Sequence, residues 1–323
     1  MILDPCAGLG RLLLKKAEQL DIHPANIYYN DLDPSMVAKF RALNNRENLN
    51  IPEENITNMD ASKKSFIKHF DFKNTHVVTN SPYNDASGTK KGGRLVWEIS
   101  ENLASNPLKS FTNVTPWVWQ IRQDCAGLRN LLVERGLYKV KHLPPDTFNA
   151  TILTSVFYCD PDRASDVVEI SVYDVDDVTK YHTVEHPVNS DIFPVVRSQA
   201  ELDSFNEIWK YKSYKHPILT CDKDEVFDMP GVEYPYLIGM QKEKLNIRKP
   251  MRKVLVKKKD TPPENPTTNH RFIPCDSHAQ AKRLATFLDS QGQEFMKCLI
   301  RGSSLEKWMV LPLIGYFDEV LEK

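Results

Sequence analysis

The stretch that most constrains this chain lies at its start. Asp4-Pro5-Cys6-Ala7-Gly8-Leu9-Gly10 follows the apolar pair Ile2-Leu3 and precedes Leu12, Leu13, Ala17 and Leu20, which recur at helical spacing. A strand, a glycine turn and a helix in that order bring the backbone close to a ligand. The first helical turn then offers it unpaired N–H groups. Asp4 narrows the ligand: a carboxylate just before the turn repels a pyrophosphate and attracts an ammonium group, such as the α-amino group of a methionine moiety. A glycine turn alone also occurs in chains that bind nothing, so its neighbours decide its use.

Those neighbours repeat the unit. Ile27-Tyr28-Tyr29 reads as a strand ending at Asn30-Asp31, and Asp33-Pro34 opens a helix with proline in the first turn, where a missing N–H costs nothing. His76-Val77-Val78-Thr79 reads as a further strand, stopped by Asn80-Ser81-Pro82-Tyr83. Helices are expected over 95–103 and 128–135, a strand over 111–114, and a closing pair of strands over 138–143 and 151–158. Repeated β-α units of this kind argue for an α/β fold, a doubly wound, mostly parallel sheet with helices on both faces. Trp97, Trp117 and Trp119 are read as core. After Cys159 the texture changes to short strand-like runs (167–173, 254–256), a proline-rich loop over 261–268 and a helix over 278–289. We therefore expect a boundary near residue 160, with residues 1–160 forming the α/β domain and 161–323 a second, smaller α+β domain.

Composition excludes several classes. No apolar run approaches the ~18 residues that span a bilayer, and Met1 to Cys6 has neither the basic nor the apolar region of a signal peptide. Six scattered cysteines, with no CxxC pair and no nearby histidine, read as free thiols in a reducing compartment rather than a zinc site. The net charge of −1, from 42 basic and 43 acidic side chains, hides a strong asymmetry. From Asp160 to Tyr236 there are 17 acids against seven bases, and from Gln241 to Trp308 there are 15 bases against seven acids. The densest part is Lys242, Lys244, Arg248, Lys249, Arg252, Lys253, Lys257, Lys258 and Lys259 within 18 residues. Counterion release on phosphate contact is the physical benefit of such a stripe, which we read as a nucleic-acid contact. The glycine-rich loop over 84–94, with Lys90, Lys91 and Arg94, suits a second touch on a phosphate backbone.

The chemistry concentrates at strand ends. Asp31 stands about 20 residues after the glycines, where doubly wound folds place the acid that accepts from ribose hydroxyls. Asp33 is read as the cap of the helix beginning at Pro34. Asp60, in Asn58-Met59-Asp60-Ala61, is placed to accept from an adenine amino group. Asn80-Ser81-Pro82-Tyr83 ends a strand, where open sheets bind ligands. An exocyclic amine is a poor nucleophile because its lone pair is delocalised into the ring. The Asn80 side-chain carbonyl and a backbone carbonyl beside Pro82 can accept its hydrogens, turn the lone pair outward and stabilise the developing positive charge. Tyr83 offers a flat face for an extruded base. No carboxylate pair or PD-ExK-like arrangement argues for a catalytic metal.

In this order the motifs resemble those of the adenine-N6 DNA methyltransferases, an S-adenosylmethionine-dependent family marked by a (D/x)PxxGxG loop and an [NDS]PP[YFW] tetrad. The likeness covers residues 1–160, and 270–301 more faintly resembles the late target-recognition region of solitary or restriction-associated members. It implies a Rossmann-like catalytic domain, a target-recognition domain, double-stranded DNA as partner and the cytoplasm of a bacterial or phage-infected cell. S-adenosyl-L-methionine would be held by Asp4, Pro5, Cys6, Ala7, Gly8, Gly10, Asp31 and Leu32, with Asp60 and Ala61 at its adenine. Asn80, Ser81, Pro82 and Tyr83 would hold the flipped target base.

Two departures shape the expectation. Ser81 stands where the family usually has proline, which keeps the backbone carbonyl but makes the turn less rigid. The family usually has a helix upstream of the first motif in this order, closing the methionine end of the pocket. Here the motif begins three residues after Met1, so that wall is expected from elsewhere, such as a second subunit. The same carbonyl clamp also suits an RNA adenine or a protein glutamine amide, and a catalytically silent DNA-binding subunit is the reading from another class.

Overall fold

The computed structural model describes residues 1–83, 94–148, 153–220, 236–241, 255–258, 270–299 and 307–322, with backbone alone at 219–220, 236–241, 255–258, 270 and 307. The chain divides into two units, Met1–Phe193 and Pro194–Lys323.

The first unit is built on a nine-stranded sheet in the order β3-β2-β1-β4-β5-β7-β6-β8-β9. Its strands are β1 (Ile2–Asp4), β2 (Ile27–Asn30), β3 (Ile56–Thr57), β4 (His76–Thr79), β5 (Ser110–Pro116), β6 (Leu137–His142), β7 (Thr154–Cys159), β8 (Val167–Tyr173) and β9 (Tyr181–Pro187). The run from β3 through β5 is parallel throughout, whereas β7 enters antiparallel between β5 and β6. The helices are α1 (Arg11–Gln19), α2 (Pro34–Arg46), α3 (Lys64–His69), α4 (Arg94–Ala104) and α5 (Ala126–Glu134). This is the mostly parallel α/β sheet the repeated units dictate. β3 is too short for a period-two pattern to declare itself.

Helices cover both faces, and register shows how. Val78 belongs to the core cluster of Leu13 and Ala17 from α1 and Val37 and Phe40 from α2. Asn113, register partner of the next residue, Thr79, bonds Ser100 of α4. Successive strand residues point to opposite faces, so α1 and α2 lie on one side and α4 on the other. Trp97, Trp117 and Trp119 are buried, as read.

The sheet runs past the expected boundary near residue 160. β8 pairs in parallel with β6 and in antiparallel with β9, so residues 161–193 extend the first unit instead of opening the second. The pairing edge left open by β6 accounts for the shift, because an unpaired strand edge recruits whatever chain follows.

The second unit is α+β. A four-stranded antiparallel sheet in the order β10-β13-β11-β12 comprises β10 (Leu219–Thr220), β11 (Tyr236–Gln241), β12 (Leu255–Lys258) and β13 (His270–Cys275). With it go α6 (Gln199–Trp209), α7 (His278–Asp289), α8 (Gln291–Leu299) and α9 (Lys307–Tyr316). Phe205 of α6 stacks on Phe295 of α8, with centroids 4.9 Å apart.

At the β1–α1 turn, Gly8 and Gly10 both take positive φ, 52° and 74°. A Cβ at Gly10 would collide with the buried Phe40 ring, which itself stacks on Tyr29 at 4.0 Å, while a Cβ at Gly8 would meet nothing within 4 Å. Gly10→Ala should therefore lose about 2–4 kcal/mol through strain and collision together. Gly8→Ala should lose only about 1 kcal/mol through strain alone. Urea unfolding of the two variants checks this, and equal losses would reject the packing account.

Candidate functional site

The strand order reverses between β1 and β4: the chain proceeds outward through β2 and β3 on one side and through β5 on the other. Loops leaving the carboxyl ends of such a pair diverge and leave a crevice, the usual ligand position of open α/β sheets. β1 and β4 are register neighbours, Leu3 beside Val77, so the loops beginning at Asp4 and Asn80 leave the same edge side by side.

Asp4 is 1% exposed. Its Oδ1 accepts the Cys6 backbone N–H at 3.0 Å. Burial raises its carboxyl pKa to about 7. The negative charge of Asp31 adds to the rise, against the opposing Cys6 N–H and the nearby Thr79 hydroxyl. A buried carboxylate without a countercharge either keeps its proton or takes a cation beside it. The Cys6 thiol is likewise pushed up by burial, so it stays protonated.

The glycine loop is clamped from β2. Gly8 N–H donates to Asp31 Oδ2 at 2.7 Å, and the Tyr29 hydroxyl donates to the Gly8 carbonyl at 2.6 Å. Asn30, fully buried, donates through Nδ2 to the carbonyls of Pro5 (2.8 Å) and Met59 (3.0 Å). Its Oδ1 accepts from Met59 N–H (2.9 Å) and the Thr57 hydroxyl (2.8 Å). Its backbone carbonyl accepts from Ala7 N–H at 2.9 Å. Sequence reasoning had Asn30 only as the end of a strand; no local pattern discloses a residue whose partners lie 25 to 29 positions away.

The predicted acids separate by role. Asp33 caps α2, accepting from Ser35 N–H at 2.8 Å, as read. Asp31 uses one oxygen on Gly8 and the other on Asp33 N–H (2.9 Å), and it remains partly exposed at the crevice beside Leu32, which is 61% exposed. Asp60 turns onto its own loop, its Oδ1 accepting from Ser62 N–H (2.9 Å) and Oγ (2.7 Å), and Ala61 beside it is buried.

In the tetrad, Asn80 and Pro82 are exposed, Tyr83 is half-buried and Ser81 is buried. The Tyr83 hydroxyl donates to Asn80 Oδ1 at 3.2 Å, and burial raises its pKa to about 12. The side-chain carbonyl proposed to hold an amine thus already accepts a hydrogen. Ser81 Oγ has no hydrogen-bond partner.

Of the predicted nucleic-acid contacts, Arg94 opens α4 and pairs with Glu98 at 3.2 Å. Lys257 and Lys258 lie on β12. Lys90, Lys91, Lys242, Lys244, Arg248, Lys249, Arg252, Lys253 and Lys259 lie outside the described residues. No group of histidine, cysteine and acidic residues able to hold a metal occurs among the described residues. Nor is any helix among them long and apolar enough to cross a membrane. A cavity of about 510 Å³ in the second unit, between Val195, Phe205 and Phe295, contains none of the residues singled out.

No protein-family model matches the sequence, and no curated protein sequence does. Among solved structures, the chain is similar to the type I restriction-modification methyltransferase subunit from Streptococcus thermophilus (21% identity, 53% of this chain and 41% of that one, TM-score 0.41). It is similar also to the M protein of the type I restriction enzyme EcoKI (16%, 53% and 44%, 0.42) and to the type IIG restriction endonuclease BpuSI (15%, 90% and 42%, 0.43). The chain spans less than half the length of each of these structures.

Asp4 yields a stability test. The folded carboxyl keeps its proton up to about pH 7, whereas an unfolded one loses it near 3.8. Its contribution therefore favours folding at low pH and is lost as pH rises through 7. Asp4→Asn should raise the thermal midpoint of the ligand-free protein at pH 8 and leave it nearly unchanged at pH 4. A gain of equal size at both values would show that Asp4 is not buried against its charge.

Proposed function

We propose that the chain transfers a methyl group from S-adenosyl-L-methionine to N6 of a flipped adenine in double-stranded DNA. The observation that carries this reading is the juxtaposition, across one topological switch point, of the buried Asp4 with the Asn80–Tyr83 tetrad.

When bound, S-adenosyl-L-methionine supplies an activated methyl group. The residues fit it: Asp4 attracts its ammonium group, the backbone of Pro5, Cys6, Ala7, Gly8 and Gly10 allows close approach, and Asp31 retains lone pairs for ribose hydroxyls. Leu32 presents an apolar face to the adenine, and Asp60 with Ala61 lines its far side, where the amino group shares Asp60 Oδ2 with the Lys63 ammonium 3.9 Å away.

On the substrate side, the base stacks on Tyr83 while Asn80 Oδ1 and the backbone carbonyl beside Pro82 accept the amine hydrogens. The amine takes over the acceptor that the Tyr83 hydroxyl now occupies. The held amine aims its lone pair outward, and both carbonyl dipoles stabilise the charge that grows on nitrogen. Extruding the base costs a few kcal/mol, which stacking offsets. The basic stretch of the second unit contacts phosphate, giving that unit a recognition role in the cytoplasm of a bacterial or phage-infected cell.

Protein incubated with labelled S-adenosylmethionine and varied duplex DNA should produce N6-methyladenine, and its absence with every duplex sinks the reading. Asn80→Ala should cut turnover by about 10²–10³ while leaving S-adenosylmethionine affinity within about twofold. Tyr83→Phe keeps the stacking face and releases the Asn80 carbonyl from a bond of about 1 kcal/mol. It should lower KM for DNA about fivefold. Tyr83→Ala should raise KM; equal effects of the two variants would reject the competition.

A further inference from the structure

Folded chains leave few buried polar atoms unpaired, and each one calls for a reason. Four polar atoms on residues exposed by no more than 1% make no hydrogen bond of normal geometry: Thr79 Oγ1 and Ser81 Oγ, which still have Asp4 or Cys6 as polar neighbours, and Asn113 Oδ1 and Thr115 Oγ1. They are not scattered. Thr79 and Asn113 are register partners on β4 and β5, Thr115 lies two residues further on the same face, and Ser81 belongs to the tetrad. Adjacent strands lie about 4.8 Å apart and two residues advance about 6.6 Å, so the unpaired groups on the two strands cover a patch of about 5 by 7 Å. That is the scale of a heterocyclic ring rather than of one water molecule.

The same polar row is satisfied away from the tetrad. Ser155, across from Thr115 on β7, accepts from Trp119 Nε1 and Gln120 Nε2, both at 3.4 Å. On β5 the two unpaired groups stand level with Thr79, the last residue of β4 before the tetrad, and two residues beyond it.

Local bonding also fixes what the patch can do. The Ser100 hydroxyl donates to the Val96 carbonyl at 2.6 Å, which leaves its oxygen free only to accept. Asn113 must therefore turn its nitrogen to Ser100, at 3.0 Å, and hold Oδ1 on the other side as an acceptor without a hydrogen to give. The hydroxyl of Thr115 can donate to a ring nitrogen.

We propose that Asn113 and Thr115 form the inner wall of the substrate site and determine its specificity. The Thr115 hydroxyl donates to a ring nitrogen of the bound base. Both amine hydrogens are already taken by Asn80 Oδ1 and the backbone carbonyl, so the acceptor-only Asn113 carbonyl acts by exclusion, repelling the carbonyl oxygen of a keto base. The wall selects a planar amino-heterocycle over a glutamine amide, whose single amide group has no ring nitrogen for Thr115. This deepens the methyltransferase reading and rests on it.

Thr115→Val tests the wall, because it keeps the shape and deletes the unpaired hydroxyl. A hydroxyl held for structure stabilises the fold, whereas one held for substrate costs stability in its absence. The variant should raise the thermal midpoint of the ligand-free protein by about 2–4 °C. It should also lower kcat/KM for DNA methylation at least about fivefold, leave S-adenosylmethionine affinity within twofold, and be rescued in activity by Thr115→Ser. A lower midpoint, or methylation within twofold of wild type, overturns the proposal. Duplexes carrying 2-aminopurine in place of adenine separate the two claims. If the wild type methylates nothing yet raises 2-aminopurine fluorescence, and Thr115→Val loses that rise, the wall stands and the transfer reading falls. If the wild type neither methylates nor raises fluorescence, both fall.

Discussion

Everything at the crevice depends on the side chain of Asn30. Its amide spends both hydrogens and both acceptor positions inside the protein, and its backbone carbonyl takes a fifth bond. Those bonds join the loop after β1, the end of β2 and the loop after β3. An aliphatic residue at this position would pack as well and would leave the Pro5 and Met59 carbonyls and the Met59 N–H without partners, at about 1–3 kcal/mol each. The tie makes the loops a single rigid rim, so Gly8, Asp31 and Met59 hold fixed mutual positions before any ligand arrives.

The second constraint is closeness. Gly10 lets α1 begin directly over the Phe40 ring, and Phe40 in turn stacks on Tyr29, whose hydroxyl reaches back to the carbonyl of Gly8. The glycine turn, one aromatic pair and one hydroxyl thus form a closed circuit from β1 to α2. The positive φ of both glycines belongs to this circuit and shapes the turn from within.

Much of this was legible in the residues. Asp33 before Pro34 announced a capped helix, and the order of apolar runs and β-α units announced the parallel sheet, because both signals are local. Asn30 was not legible, since its partners are distant in sequence. Asn113 and Thr115 were hidden for a different reason: Ser110–Pro116 shows polar residues on a strand, and only the pairing of β5 between β4 and β7 reveals that these two are buried. The edge at 160 was misplaced because a change of composition was taken as a change of domain, whereas sheet pairing continues until β9. The charge asymmetry retained its sense only in sequence, with most of the basic stretch outside the described residues.

The buried Asp4 makes occupancy of the crevice a proton-coupled event. With its pKa near 7, the free site is shared between protonated and charged forms at neutral pH, and a cation can settle there only against the charged form. On the proposed reading, filling the site with an ammonium group expels a fraction of a proton per molecule, and the heat of binding includes the ionisation heat of whatever buffer receives it. Affinity for that group then weakens with acidity through a carboxyl rather than a histidine.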